Sequence, residues 1–578
     1  MSEPSSSSGE HDAHGHDAHG TPSAGPVVGA IIAVLVAYGL MLGFGLPQKG
    51  TEIIVAAAGD HDGGDHGGAH HEQSDRDEPH ADGGHPSDDH ADDSHDGDHD
   101  DADDHHAEDG HGGSGHGHHS AGPAPPIWTV TPFVLLLLAI ALLPLIPATE
   151  HWWESNLSRF QVAAGLGLLT LLYYGFGHNA AIESHWPAHG VVEPSDAGFD
   201  LGFVRTVVEN AVMGEFIPFI VLLFSLYTIS GGIRISGDLQ ANPMTNAIFM
   251  AAGGLLASFI GTTGAAMLLI RPLLETNEER KHKVHTVVFF IFIVCNCGGC
   301  LLPIGDPPLF LGYLRGVEFF WTLQLWQPWL LCNGLLLVAY LLIDEVFYYR
   351  RETEADITRD IRNIRALKYE GLSVNGPLLL GVVAAVAFLD PSKTLPGVNW
   401  HPWMYLREIV QLSLVAASLW LGSQRVREEN GFNYHAIVEV AALFSGIFIC
   451  MQPALQILGE QGPQLGIDAP MAFFWITGGL SSVLDNAPTY VVFFETARTL
   501  EATEGAKLVA GVTEPRLIAI SLGAVFLGAM TYIGNGPNFM VKAIAEKAGV
   551  RMPSFFGYLI YSCGLLLPIL AFVAWRTF

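Results

Sequence analysis

Residues 304–308 read Ile304-Gly305-Asp306-Pro307-Pro308, and residues 533–537 read Ile533-Gly534-Asn535-Gly536-Pro537. Each stretch places glycine, proline and a carboxylate or carboxamide inside an otherwise apolar segment of membrane-spanning length. Proline removes a backbone donor and clashes with the preceding turn, so no helix runs unbroken through either stretch. A second matched pair lies upstream. Gly261-Thr262-Thr263-Gly264 faces Asp485-Asn486-Ala487-Pro488 about 224 positions later, and Glu215 and Glu439 share that spacing. Unwound backbone inside a bilayer is tolerated only where protein buries it or a cavity wets it. Its recurrence in two halves of one chain marks a place where a polar solute is held at mid-membrane.

The chain has 578 residues, 49% of them hydrophobic. That average joins two unlike materials. Residues 1–25 and 58–122 are nearly free of large apolar side chains and crowded with His, Asp, Gly and Ser. From Pro126 onward, apolar runs of about 15–25 residues follow one another, enough to cross roughly 30 Å of hydrocarbon. The pattern predicts an all-α polytopic membrane protein. Its two front segments, 1–25 and 58–122, are expected to be disordered, because they carry too little apolar surface to fold.

The net charge of −32 is equally uneven: residues 58–122 hold 20 acidic residues against one basic residue, Arg76. Such a stretch excludes nucleic acid as a partner and leaves lipid and small inorganic ions. All six cysteines lie at or after Cys295, in or beside apolar segments, so no disulfide framework is expected. Residues 26–46 are an apolar run preceded by acids and histidines. The absence of Lys and Arg there favours an uncleaved first span over a signal peptide ending at Ala56-Ala57-Ala58.

Further spans are expected near 127–148, 160–178, 207–231, 325–347, 376–389, 407–422, 434–458 and 555–574. Four irregular units lie between them. Residues 243–275 and 469–500 read as re-entrant hairpins, and 286–318 and 515–550 as discontinuous crossing helices. With each hairpin returning to its own side, four basic clusters fall together on the cytoplasmic face. They are Arg280/Lys281/Lys283, the run from Arg350 to Lys368, Arg425/Arg427 and Lys542/Lys547/Arg551. The His/Asp-rich loop 58–122 then lies outside. Residues 127–347 and 372–578 become two halves of opposite orientation, an inverted repeat whose half-helix ends meet near the midplane.

Asp306 and Asp485 are the carboxylates of these breaks. A carboxylate at membrane depth is costly unless paired, protonated or bound to a cation. Sodium, like other hard cations, takes oxygen ligands. Asp306, Asp485, Asn486, Asn296, Asn535, Thr262 and Thr263 supply them, with the unwound backbone at Gly305 and Gly534. Taking a carboxylate out of water favours its protonated form, so one group can exchange a proton for a metal ion. Asp306, Asp485, Glu215 and Glu439 are therefore the proton-coupling candidates, while capping of a half-helix is the plainer role open to Asp306. Glu209, Asp344 and Glu345 lie near expected helix ends and read as interfacial. Cys295, Cys297 and Cys300 have a metal-ligand spacing but read as small packing residues. Of the 15 histidines in 58–122, His116, His118 and His119 are the densest group and suit loose Zn²⁺ or Ni²⁺ binding.

The run Asn296-Cys297-Gly298-Gly299-Cys300-Leu301-Leu302-Pro303-Ile304-Gly305-Asp306-Pro307-Pro308-Leu309, with Ser481-Ser482-Val483-Leu484-Asp485-Asn486-Ala487-Pro488, resembles the ion transporter superfamily. Within it the likeness is to NhaD-type sodium/proton antiporters and a related group of citrate transporters. It covers about 127–578. The resemblance implies about eleven spans with two hairpins, a homodimer, and elevator movement of a transport domain against a scaffold. Counted from the residues, there are ten crossings after residue 126, and the first span makes eleven. Dicarboxylate members carry Ser-Asn-Thr at both hairpin tips. Here the tips read Gly261-Thr262-Thr263 and Asp485-Asn486-Ala487, and an aspartate there repels a free di- or tricarboxylate.

The expectation is a secondary transporter of the plasma (bacterial inner) membrane that exchanges Na⁺ for H⁺. It has no cofactor and is not an enzyme: no P-loop, His-Glu-x-x-His or Ser/His pair is present. Citrate or dicarboxylate transport, free or metal-complexed, is the first alternative. A membrane-anchored metal-binding protein is the second.

Overall fold

A computed structural model describes residues 24–62, 124–187, 190–195, 198–395, 397–502 and 505–578. Among them the ordered structure is helical apart from three two-stranded sheets. Helix α1 (Ala24–Gly43) is followed by α2 (Leu46–Asp62). Residues 24–25 and 58–62 are thus helical, which corrects the expectation of disorder at those margins. Gly45, at φ +72, makes the corner between the two helices. Next come α3 (Thr131–Leu142), α4 (Asn156–Phe176) and the long α5 (Leu201–Ser230). Within α5 the backbone widens to a π-helical stretch at Glu209–Phe216.

The first irregular unit is a helical hairpin, α6 (Pro243–Ile260) and α7 (Thr262–Thr276), joined by one residue. That residue is Gly261, at φ +79, a conformation disfavoured for any side chain with a Cβ. The broken helix follows as α8 (Val284–Ile293), two short 3₁₀ turns, and α9 (Pro307–Leu314). Helix α10 (Trp326–Ile343) closes the first half.

The second half opens with α11 (Leu372–Phe388) and α12 (Leu406–Leu421). The expected span 434–458 is two helices, α13 (His435–Cys450) and α14 (Gln452–Gln461). They are bent by 42° at a break where Pro453 interrupts the backbone ladder. The second hairpin is α15 (Pro470–Ser481) and α16 (Asn486–Arg498). The second broken helix is α17 (Glu514–Leu527), a 3₁₀ turn at Gly528–Met530, and α18 (Gly536–Lys547). Helix α19 (Phe555–Thr577) ends the chain.

Six helices among the described residues are long and apolar enough to cross a membrane, or seven if the bent pair counts as one span. The shorter apolar helices include α11 and the segment from Val284 to Cys300. The protein is therefore an all-α multi-pass membrane protein.

The segment between the halves is tied to the first by a small sheet in which Arg234–Asp238 pairs antiparallel with Arg365–Glu370. Helix α5 packs against α11, α12 and α13. The hairpins and broken helices pack among themselves: α6 on α7, α9 on α16, α15 on α17, α16 on α17, and α18 on α7. Asp344, at the end of α10, is fully buried, because the Arg280 guanidinium bonds it alongside His285 Nε2 and the Tyr340 hydroxyl, each of the last two at 2.9 Å. Burial at a helix end is stabilised here by a cation the linear sequence places 64 residues away.

Candidate functional site

The two breaks are built alike. Asp306 and Asn535 each stand immediately before a half-helix, with φ/ψ of −143°/141° and −153°/137°. Each is preceded by a glycine whose α-carbon lies against its own chain six residues back. A Cβ on Gly305 would meet the Gly299 carbonyl oxygen at 2.2 Å, and one on Gly534 the Gly528 oxygen at 2.6 Å. Each hairpin nests on the break of its own half through a serine hydroxyl. Ser258 Oγ donates to the Gly298 carbonyl at 2.6 Å, and Ser481 Oγ to the Ala524 carbonyl at 2.7 Å. The freed carbonyls are in this way partly satisfied by side chains, as irregular backbone at membrane depth requires.

The halves meet at Asp306, which is 1% exposed. Its Oδ1 accepts from Thr262 Oγ1 at 2.9 Å and from Asn535 Nδ2 at 3.1 Å, and its Oδ2 accepts from Asn486 Nδ2 at 2.8 Å. Thr262 and Asn486 are the first residues of α7 and α16, and Asp306 and Asn535 precede α9 and α18. Four helix N-termini therefore converge on one carboxylate, with their partial positive charge directed at it. Among the described residues no ion pair reaches Asp306.

Magnitudes explain why an ionised Asp306 is tolerable there. Removing a carboxylate from water costs several kcal/mol after relaxation. Three bonds to a charged acceptor return about 1.5–3 kcal/mol each, and a well-placed helix N-terminus up to about 2 kcal/mol.

Behind it lies a layer of carboxamides. Asn535 Nδ2 faces three oxygens, the Cys295 carbonyl at 3.0 Å, Asp306 Oδ1 at 3.1 Å and Asn296 Oδ1 at 3.3 Å. An amide nitrogen has two hydrogens, so oxygen acceptors are in surplus at this point. Asn296 Nδ2 donates to the Ile291 carbonyl and to Asn538 Oδ1 at 2.7 Å. Asn538 Nδ2 in turn ties the Gly528 and Thr531 carbonyls at 2.9 Å each. Asn538 was not among the sequence candidates. Its position three residues past Asn535, on the same helical face, was the available signal.

The other candidates are placed as follows. Asp485 is half-buried and caps α16, accepting from the Ala487 N–H at 3.1 Å. The capping role weighed for Asp306 is thus taken by Asp485, while Asp306 makes no side-chain cap bond. Thr263 is half-buried beside Thr262, and among the described residues no hydrogen bond joins it or Asp485 to Asp306. Glu215 and Glu439 lie outside the junction. Glu215 bonds Arg315 at 2.7 Å, and Glu439 pairs with Arg159 at 3.0 Å. Cys295, Cys297 and Cys300 are buried and unbridged. No group of three His, Cys, Asp or Glu among the described residues has a metal-holding arrangement. His116, His118 and His119 lie outside the described residues.

Residues 123–193 and 186–578 match the family described as "Putative citrate transport". The chain belongs to that family. The matched span holds both hairpins and both breaks of this citrate transport family member, whereas α1 and α2 precede it. An uncharacterized transporter of Mycobacterium tuberculosis is 26% identical over 357 residues, covering 57% of this chain and 78% of the relative. An uncharacterized transporter of Mycobacterium bovis aligns with the same figures. Together with the family match, these similarities make this citrate transport family member a secondary transporter.

Proposed function

We propose that the protein exchanges Na⁺ for H⁺ across the plasma (bacterial inner) membrane, with Asp306 as the group that alternates between ion and proton. The supporting observation is the buried Asp306 carboxylate, drawn by neutral donors from both halves and paired with no cationic side chain among the described residues. Its bonds are all to neutral groups, so a cation or a proton is the species that completes its charge balance. The Asn535 and Asn296 carboxamides and the Cys295 carbonyl add oxygen ligands once an ion displaces the amide hydrogens. Asp485, at the rim of the same junction, supplies a second carboxylate. Movement of the hairpins and broken helices as a body within a homodimer is the accompanying mechanism.

A second reading is favoured by the convergence of four helix N-termini, which suits an anionic cargo, and by the family's description. Asp306 and Asp485 repel free citrate, so on this reading the cargo is a citrate–metal complex whose cation faces the carboxylates. Proteoliposomes loaded with a pH-sensitive dye separate the two. Antiport predicts alkali-ion-driven proton movement with Na⁺ or Li⁺, little with K⁺, and no requirement for citrate. Citrate uptake that depends on Mg²⁺ or another divalent ion, with no Na⁺-driven proton movement, replaces the first reading with the second.

A further inference from the structure

We propose that Glu215, Arg315 and Glu495 form an ionic latch that couples the helices carrying the Asp306 site to the long helix α5. The assignment rests on the reading that the junction moves cargo, and it holds for either cargo.

Arg315 is the C-cap of α9, the helix that begins at Asp306. Glu495 lies on α16, the helix that begins at Asn486. Each of these helices has one end in the site and the other at the latch, about 12 Å away for the eight residues of α9. Arg315 Nη2 donates to Glu215 Oε1 at 2.7 Å and its Nε to Glu495 Oε1 at 3.1 Å. Two carboxylates share the Arg315 guanidinium, Glu495 Oε2 also accepts from Arg498 Nη1 at 3.4 Å, and Glu215 Oε2 is buried with no hydrogen-bond partner among the described residues. Glu215 comes from α5, which packs chiefly against α11, α12 and α13 and more lightly against α7 and α9, whereas α9 and α16 pack mainly on each other and on α17. The bridge therefore joins two differently packed groups of helices. Any displacement of the site against α5 has to break or carry it.

The turn that presents Glu215 is braced from both flanks. It belongs to the π-helical stretch Glu209–Phe216, a widening that recurs at functional positions. On one side Asn210 Oδ1 accepts from the His185 N–H at 2.8 Å, and its Nδ2 donates to the Glu183 carbonyl at 2.9 Å. On the other side the Tyr405 hydroxyl donates to the Met213 carbonyl at 2.9 Å. Tyr405 itself sits at φ +63, a conformation unusual for a non-glycine residue and kept only where the surroundings enforce it. By contrast, the Glu439–Arg159 pair joins α13 to α4, neither of which enters the junction.

The test compares Arg315→Gln, Arg315→Lys and Glu215→Gln in the full chain, with Arg205→Gln, at an exposed pair with Glu209, as the control. In proteoliposomes carrying the cargo that the wild type moves, the maximum rate is expected to fall at least about tenfold in both Gln variants. The apparent cargo affinity stays within about twofold, and Arg315→Lys recovers part of the rate; this split separates turnover from binding. Independently of any flux, hydrogen exchange over 307–314 and 486–498 is expected to rise in the Gln variants and not in the control. Unchanged exchange in those segments overturns the latch, as does a rate loss that merely follows a lower affinity or a lower unfolding temperature. A wild type that moves neither Na⁺ nor citrate defeats the transport reading, and the exchange measurement still decides the latch.

Discussion

Asn486 and Asp306 stand 180 positions apart in the chain and 2.8 Å apart in the fold, the Nδ2 of one donating to the Oδ2 of the other. This bond joins the tip of the second hairpin to the break of the first broken helix. With the Asn535 bond, it makes one carboxylate the shared acceptor of both halves. A site at such a seam senses the relative position of everything that meets there.

Asp306→Asn keeps the shape and removes the charge. Loss of a charged ligand worth about 3 kcal/mol corresponds to roughly a 100-fold weaker cation affinity. Ion-driven proton movement in vesicles is expected to vanish at millimolar Na⁺ while the variant still purifies as folded protein. Wild-type activity in this variant removes Asp306 from the transport chemistry.

Asp485→Asn asks a different question, because asparagine caps a helix about as well as aspartate. The cap on Ala487 is expected to survive, with the unfolding temperature unchanged, while cation-coupled transport is lost. Retained transport assigns Asp485 to capping alone.

Gly305→Ala and Gly534→Ala drive a methyl group into backbone oxygens at 2.2 Å and 2.6 Å. Overpacking costs about 1–3 kcal/mol, and rigid backbone neighbours place these two at the upper end. Gly536→Ala, two residues on, meets nothing within 4 Å and is expected to behave as wild type. Thermal unfolding in detergent ranks the three.

Asp344→Asn leaves Arg280 buried beside His285 with only the Glu352 carboxylate, 3.9 Å from its Nε, as an anionic partner. Breaking one partner of a buried pair costs about 3–5 kcal/mol. A large drop in thermal stability or yield is the expected outcome, and a variant as stable as wild type contradicts the burial described.

Thr51→Val tests whether α2 is docked or merely adjacent. Thr51 Oγ1 accepts from the Met404 N–H at 2.9 Å, and its one hydrogen faces the Pro47 carbonyl at 3.0 Å, with the Pro402 carbonyl at 3.3 Å. Valine keeps the volume and orphans that N–H, at a cost of about 1–3 kcal/mol. Thr51→Ser is expected to restore the lost stability. If the two variants unfold together, the hydroxyl contributes nothing.

Much of the fold was legible because bilayer physics leaves few options. Apolar length marked five of the six helices long enough to cross, the sixth being the hairpin arm Pro243–Ile260. The helices expected at 160–178, 376–389 and 407–422 fall outside that set. Gly-Asp-Pro-Pro and Gly-Asn-Gly-Pro marked the breaks to within a few residues of the observed helix ends. Five of the polar candidates, Thr262, Asn296, Asp306, Asn486 and Asn535, proved to bond one another in a single cluster. Arg315, Glu495 and Asn538 were missed, because nothing in their local sequence tells which distant residue they will face. The burial of Asp344 was not legible for the same reason: proximity to a helix end says nothing about a partner from another loop.

Sequence alone determined where helices must stop, since proline and glycine act on the backbone of their own turn whatever surrounds them. It also determined that polar groups at those stops need partners, since hydrocarbon offers none. Which groups become those partners was decided only in three dimensions. The meeting of the two hairpin tips and the two breaks made Asp306 the common acceptor and gave Asp485 the cap of a helix. Hydrogen bonds act over about 3 Å, and only the packed chain sets distances on that scale.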